Sequence, residues 1–252
     1  MSGTLVVMPT YNERDNIDAS VSGVLAAMPD IELLIVDDGS PDGTGGIADG
    51  LADLQPRVHV LHRRSKDGLG AAYRAGFAWA LDRGYDAVVE MDADGSHRPE
   101  ELPRLLAALG DADLVVGSRW IPGGSVHGWP VHRRWLSLGG SAYARTALGL
   151  TQRDATGGYR AIRSDALRGI RPELLRSEGY GFQVELLWRA VRRGLRVVEV
   201  PITFVERTAG RSKMTMRIVL EAMVRVTAWG LSSSRMHPTD TVHRPAEPSR
   251  VD

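Results

Sequence analysis

Apolar, β-branched runs recur at 5–8, 33–36, 58–61, 87–91, 114–116 and 197–205. Short runs of this kind, bounded by polar and turn-forming residues, predict strands. Between the early runs the pattern changes period: Ile17, Val21, Val24, Leu25 and Met28 fall at spacings of three and four, which places them on one helix face. Strand and helix therefore alternate. That order predicts an α/β fold with a parallel sheet covered by helices on both faces, and strands that are apolar throughout rather than at every second position agree with burial on both sides.

The polar residues after each strand are the next signal. The first run ends in Pro9, Thr10, Tyr11, Asn12 and Glu13, the second in Asp37 and Asp38, the fourth in Asp92 and Asp94. Open parallel sheets bind ligands outside the carboxyl ends of their strands, near the point where strand order reverses, so three acidic strand ends predict one shared crevice. The segment 122–158 is Gly-rich with basic and aromatic residues interleaved, and reads as a loop over that crevice. The tail 231–252 is rich in Ser, Pro and charge and has no apolar period, which predicts disorder.

Composition narrows the function. The chain has 252 residues, 31 Lys plus Arg against 31 Asp plus Glu, and no cysteine. A zero net charge disfavours a nucleic-acid partner, and the absence of cysteine excludes disulfides, zinc–thiolate sites and a cysteine nucleophile. The first residues lack a basic segment and a long apolar run, so neither a signal peptide nor an anchor is expected, and no run elsewhere reaches membrane-spanning length.

Asp92-Ala93-Asp94 is the sharpest motif. Two carboxylates flanking a small residue at a strand end can hold one hard divalent ion that bridges two phosphates. The plainer alternative is an acidic turn before a helix start at Ser96, Pro99 and Glu100; a second acidic strand end nearby favours the ligand site. In Val36-Asp37-Asp38-Gly39-Ser40-Pro41-Asp42-Gly43-Thr44, turn chemistry competes with a role for one Asp in holding a nucleoside. Gly68-Leu69-Gly70-Ala71-Ala72 lacks a full dinucleotide fingerprint, and close helix packing explains its small residues better. Arg119 and Arg207 each follow a strand, where a guanidinium can meet a phosphate bidentately. His97 is the histidine nearest the carboxylates and suits a turn role. No G-x-S-x-G motif supports a serine nucleophile. Residues 214–229 carry Arg217, Glu221 and Arg225 at intervals of four on an otherwise apolar helix, which can pack on the domain or lie in a membrane interface through Met216, Val219, Met223 and Val226.

The ordered motifs PTYNE, VDDGSPDGT, GLGAAYRAG, MDADGSHRPEEL, VVGSR, DATGGYRAIR, GYGFQVELL, EVPITFVER and GRSKM resemble the dolichol-phosphate and polyprenol-monophosphate mannose synthases of the family 2 glycosyltransferases, in the short form without transmembrane helices. The resemblance runs from Leu5 to Lys213. It implies a GT-A fold over 1–213, an amphipathic helix at 214–230, and inverting transfer of mannose from GDP-mannose to a polyprenyl phosphate. Pro9, Tyr11, Glu13, Val36, Asp38, Asp92 and Ala93 would bind the donor. Asp92 and Asp94 would hold Mg²⁺ or Mn²⁺, with Ser96 standing where some relatives offer a Gln ligand. Arg207 and Lys213 would lie near the diphosphate, and Arg119, Arg133 and Ser137 would bind the acceptor phosphate. Asp94, Arg119, Arg207 and Lys213 would carry the catalysis. The implied setting is peripheral attachment at the cytoplasmic face of a membrane, with room for an anchoring partner protein. The alternatives are a relative that transfers glucose and a noncatalytic subunit that binds a nucleotide or lipid.

Overall fold

A computed structural model describes residues 3–207 and 216–233. In chain order the elements are β1 (Thr4–Thr10), α1 (Ile17–Ala27), β2 (Glu32–Asp37), α2 (Thr44–Leu54), β3 (Val58–His62), α3 (Leu69–Arg83), β4 (Ala87–Glu90) and α4 (Leu102–Leu109). There follow β5 (Leu114–Ser118), β6 (Ser125–His127), α5 (Val131–Leu148), β7 (Arg160–Arg163), α6 (Ser164–Ile170), α7 (Tyr180–Arg192), β8 (Val197–Pro201), β9 (Thr203–Val205) and α8 (Met216–Ser233).

Seven strands form one sheet in the order β3-β2-β1-β4-β7-β5-β8, parallel except for β7, which runs antiparallel to β4 and β5. Side chains alternate across β1. Leu5 and Val7 enter a core with Tyr73 and Phe77 of α3 and Phe182 of α7, whereas Val6 and Met8 face Ile17 and Val21 of α1 and Leu105 of α4. Each face has its own apolar layer, which is why the strand sequences are apolar without a break. The chain moves outward from β1 to β2 and β3, then returns to place β4 on the other side of β1. Strand order thus reverses between β1 and β4, and the ends of those two strands carry Pro9 and Asp92.

Three parts of the sequence behave differently from expectation. The segment 122–158 contains the 18-residue helix α5, whose inner face is small, with Ser141 and Ala144 buried while Trp135 is 70% exposed; an amphipathic period is therefore faint. The run 197–205 is two strands, because Pro201 and Ile202 turn the chain from the large sheet to a two-stranded ribbon of β6 and β9. Strand β7 is framed by Arg160 and Arg163, and charge at both ends hides it from an apolar search.

The small residues at 68–72 do serve close packing. A Cβ on Gly70 would lie 2.6 Å from the Ser177 carbonyl oxygen. Six residues further along α3, a Cβ on Gly76 would lie 2.3 Å from Val7 Cγ1. Helix α8 covers the same face through Val226, which is 2% exposed and belongs to the core, and through Trp229, stacked on Trp188 at 5.3 Å. Val226 is therefore no part of an outward apolar stripe. The apolar residues that α8 exposes are Leu220, Met223, Val224 and Leu231. Side chains at 216–219 and the residues 208–215 and 234–252, including Lys213 and most of the tail, lie outside the description.

Candidate active site

Where strand order reverses, a polar cavity of about 400 Å³ opens. Its wall includes Pro9, Glu13, Asp92, Ala93, Asp94, Ser96, Arg119, Arg133 and Arg207 of the residues expected there. Tyr11, Val36 and Asp38 stand outside that wall. Val36 is fully buried in the core beneath the sheet, and Asp38 forms an ion pair with Arg63, while Lys66, which does line the cavity, sits 3.9 Å over the Tyr11 ring. Asp37 is satisfied within the turn by Thr10 Oγ1 at 3.1 Å and the Ser40 amide at 3.1 Å.

The acidic turn after β4 is held from below. Asp92 donates its backbone N–H to Nδ1 of His97 at 3.0 Å, and His97 stacks on Tyr159 at 4.8 Å. Burial lowers the His97 pKa despite the neighbouring carboxylates, so the ring is neutral and fixes the turn. Burial raises Asp92 above the ordinary carboxylate range, with the Asp94 charge adding to it, whereas at Asp94 the effect of burial is outweighed by Ser96 and the Arg207 guanidinium, 3.1 Å from Oδ2, and its pKa falls. The two carboxylates of the motif are thus shifted in opposite directions. Beneath them Glu90 is fully buried, its carboxyl oxygens without hydrogen bonds, and burial pushes its pKa to about 8 against the opposing charge of Arg160.

The Ser96 hydroxyl is buried without a partner in hydrogen-bonding geometry. With Asp92 and Asp94 it makes a set of three hard oxygen donors that suits Mg²⁺ or Mn²⁺. Among the described residues no three His, Asp or Glu side chains converge, so an ion here needs further oxygens from a diphosphate or water.

The cationic wall rests on the segment between α5 and β7. Asp154, with no exposed surface, accepts hydrogen bonds from the Arg119 amide at 3.0 Å, Nε at 2.7 Å and Nη2 at 2.6 Å. Arg160, equally buried, donates to the carbonyl oxygens of Gly157, Gln183 and Ala155. Arg119 is thereby rigid, and its Nη1 makes no hydrogen bond among the described residues. Arg133 pairs with Glu206 and lies 4.2 Å over the ring of Trp129.

A second cavity, about 330 Å³ and almost entirely apolar, lies between α5, α7 and α8. Leu136, Tyr143, Val184, Met223 and Val226 line it, and Ser137 sits at its polar end. Trp129, Arg133, Thr156 and Tyr180 line both cavities, so the two adjoin at these residues. Three site residues escape a sequence search: Asp154, Trp129 and Gln183, whose buried amide in the cavity wall has no partner on either atom. A glutamine within the apolar stretch of α7 was a readable signal.

Residues 5–171 match the model of Glycosyl transferase family 2. The chain belongs to that family. This glycosyltransferase is 56% identical over 229 residues to undecaprenyl-phosphate mannosyltransferase of Micrococcus luteus, covering 91% of this chain and 94% of the relative. It is 55% identical over 230 residues to polyprenol monophosphomannose synthase of Mycolicibacterium smegmatis, covering 90% and 87%. The fold is GT-A: the structure of mannosyltransferase PcManGT from Pyrobaculum calidifontis in complex with GDP-Man and Mn²⁺ superposes with a TM-score of 0.55 at 16% identity, over 92% of this chain and 74% of the other. Among the described residues of the glycosyltransferase no helix is long and apolar enough to cross a membrane.

Proposed function

We propose that this glycosyltransferase passes mannose from GDP-mannose to a polyprenyl phosphate, with inversion, at the cytoplasmic face of a membrane. The adjacency of the apolar groove and the polar cavity, which share four lining residues, carries the reading: an acceptor with a greasy chain and a charged head needs both, side by side. The mannosyltransferase relatives and the GDP-Man neighbour support the choice of sugar and nucleotide.

Asp92, Asp94 and Ser96 would hold Mg²⁺ or Mn²⁺, which when bound neutralises charge on the departing diphosphate. Arg207 and Lys213 add positive charge on the same side, and Pro9, Tyr11, Glu13, Val36, Asp38 and Ala93 contact the nucleotide. Because the Val36 side chain is in the core, only its backbone is available for that contact. Arg119, Arg133 and Ser137 take the acceptor phosphate. A phosphate monoester is anionic at neutral pH, so it attacks without a general base, and the protein's contribution is positioning and electrostatics. Attack from the face opposite the leaving diphosphate turns an α-linked donor into a β-linked product. Residues 1–213 form the catalytic unit in this scheme and 214–230 the lipid-facing helix; α8 itself runs to Ser233, so the tail expected at 231–252 begins only after that residue. A membrane-anchoring partner would meet the exposed side of α8.

The test offers GDP-mannose and UDP-glucose separately, each with a polyprenyl phosphate and Mg²⁺ or Mn²⁺. A mannolipid with a β-anomeric signal from the first donor only is expected. Transfer from UDP-glucose alone identifies a glucosyltransferase, and no transfer from either leaves a binding subunit.

A further inference from the structure

We infer that the indole N–H of Trp129 is a ligand of the acceptor's phosphate group, a role that rests on the acceptor being a lipid phosphate. Trp129 stands between β6 and α5, where the chain turns through Gly128 at φ +82° into Pro130. It lines both cavities and is 8% exposed, yet its Nε1 has no hydrogen-bond partner. A buried donor left unmade is costly, and native proteins keep few of them.

The surroundings say what would complete it. The Arg133 guanidinium lies 4.2 Å and that of Arg119 5.3 Å from the ring centre, and Phe204 meets it edge-on at 5.1 Å. Arg133 Nε and Ser137 Oγ are also buried without partners, and Ser137 is one helical turn beyond Arg133 on α5. With the Arg119 Nη1 noted above, four donor groups surround this junction. The indole and the guanidinium groups cannot accept. The carboxylates here are already engaged, Asp154 by Arg119 and Glu206 by Arg133, although Glu206 keeps a second oxygen buried and unpaired. Donors of this kind fit a phosphate monoester, which offers only acceptors, and fit a sugar hydroxyl poorly. The apolar groove on the other side of the ring gives the attached chain its exit.

Trp129→Phe keeps an aromatic face for both guanidinium groups and removes only the N–H. The expected result is a KM raised about tenfold for the lipid phosphate with kcat near wild type, the size of a hydrogen bond to a charged partner. The factor should be the same for a short, water-soluble prenyl monophosphate and for a long-chain polyprenyl phosphate, and affinity for GDP should not change. A penalty confined to the long chain makes Trp129 an apolar wall, equal loss of GDP affinity makes it a structural residue, and either result overturns the inference. A second measurement needs neither the variant nor the donor. Wild-type protein is titrated with the short prenyl monophosphate while the indole N–H resonances of its six tryptophans are followed. A downfield shift of the indole resonance that is missing from the Trp129→Phe spectrum, weakened in Ser137→Ala, is expected; no response, or a response only at the buried indole of Trp120, overturns the inference. Because the titration needs no turnover, it separates failure here from failure of the mannosyl-transfer reading, which shows as wild-type protein that makes no product.

Discussion

Breaking the Arg119–Asp154 pair tests whether the cationic wall is a preorganised device or an incidental ion pair. Arg119 is 4% and Asp154 0% exposed, and three hydrogen bonds of 2.6 to 3.0 Å join them. At an effective dielectric near 20, charges about 4 Å apart attract by roughly 4 kcal/mol, and that attraction offsets the desolvation of two ions. In Asp154→Asn the side-chain oxygen can still receive the residue-119 amide, but a buried guanidinium is left uncompensated, which should cost about 3–5 kcal/mol out of a typical stability of 5–15. Arg119→Met strands a carboxylate and should cost as much. The double variant holds neither charge and should lie within about 1–2 kcal/mol of wild type, so the cycle couples strongly. Urea unfolding of the four proteins measures this, and transfer assays should find the double variant folded but inactive. The acid limb gives an independent check. At Asp154 burial is outweighed by Arg119, so its folded pKa lies below the ordinary 3.8, and its contribution is complete above that value and lost as pH falls through the lowered one. Wild type should lose stability there and the double variant should lack that loss. An Asp154→Asn cost under about 1 kcal/mol, or additive singles, would refute the reasoning.

Asp94→Ala should abolish transfer while the protein still folds, at a cost of about 1–3 kcal/mol for the Ser96 amide and the Arg207 guanidinium left without that acceptor; near-normal metal-dependent turnover excludes it as a ligand. Gln183→Met should lower turnover and raise the Glu90 pKa further, because the amide is, with Arg160, the polar neighbour that holds that buried carboxyl down; lower stability with normal turnover assigns it to the fold alone. Leu220→Asp with Val224→Asp, at positions 63% and 62% exposed, should weaken vesicle binding and the use of long-chain acceptor while short acceptors are still consumed; equal loss on both removes α8 from membrane docking.

How far the sequence could be read depended on where the information sits. The parallel half of the sheet was legible because its strands are apolar on both faces, and the crevice was legible because β1, β2 and β4 all end in polar residues on the same side of the sheet. Strand β7 was not, because only Ala161 and Ile162 of its buried residues are apolar and the third is an arginine whose guanidinium is satisfied by three main-chain oxygens. Charge in a core becomes legible only with its partners, and those lie at Ala155, Gly157 and Gln183. The helix α5 was hidden for the opposite reason: its inner side is small enough for α8 to approach, so that a Cβ at Gly230 would come within 2.6 Å of the Ala147 carbonyl, while its apolar residues Val131 and Trp135 are exposed and blur the period.

The same contrast separates the two halves of the site. The donor end rests on strand termini, whose residues are neighbours in sequence, and motifs such as Asp92-Ala93-Asp94 survive as short strings. The proposed acceptor end is assembled from pieces far apart: Arg119 after β5, Trp129 after β6, Arg133 and Ser137 on α5, Asp154 before β7, and Glu206 after β9. A loop-to-helix segment, 122–158, thus supplies most of the junction between polar cavity and apolar groove, and it was the segment least readable as structure. Its Gly-rich, aromatic and basic character reflects that task. Glycine lets the chain pass Glu206 at Gly128, where any Cβ would lie 2.7 Å from the Glu206 Cβ, tryptophan supplies a broad face for guanidinium groups, and small residues on α5 leave room for a lipid. Composition that looks like a loop can therefore record a surface shaped around a ligand, and the orphaned donors at Trp129, Arg133 and Ser137 show where that ligand's charge would fall.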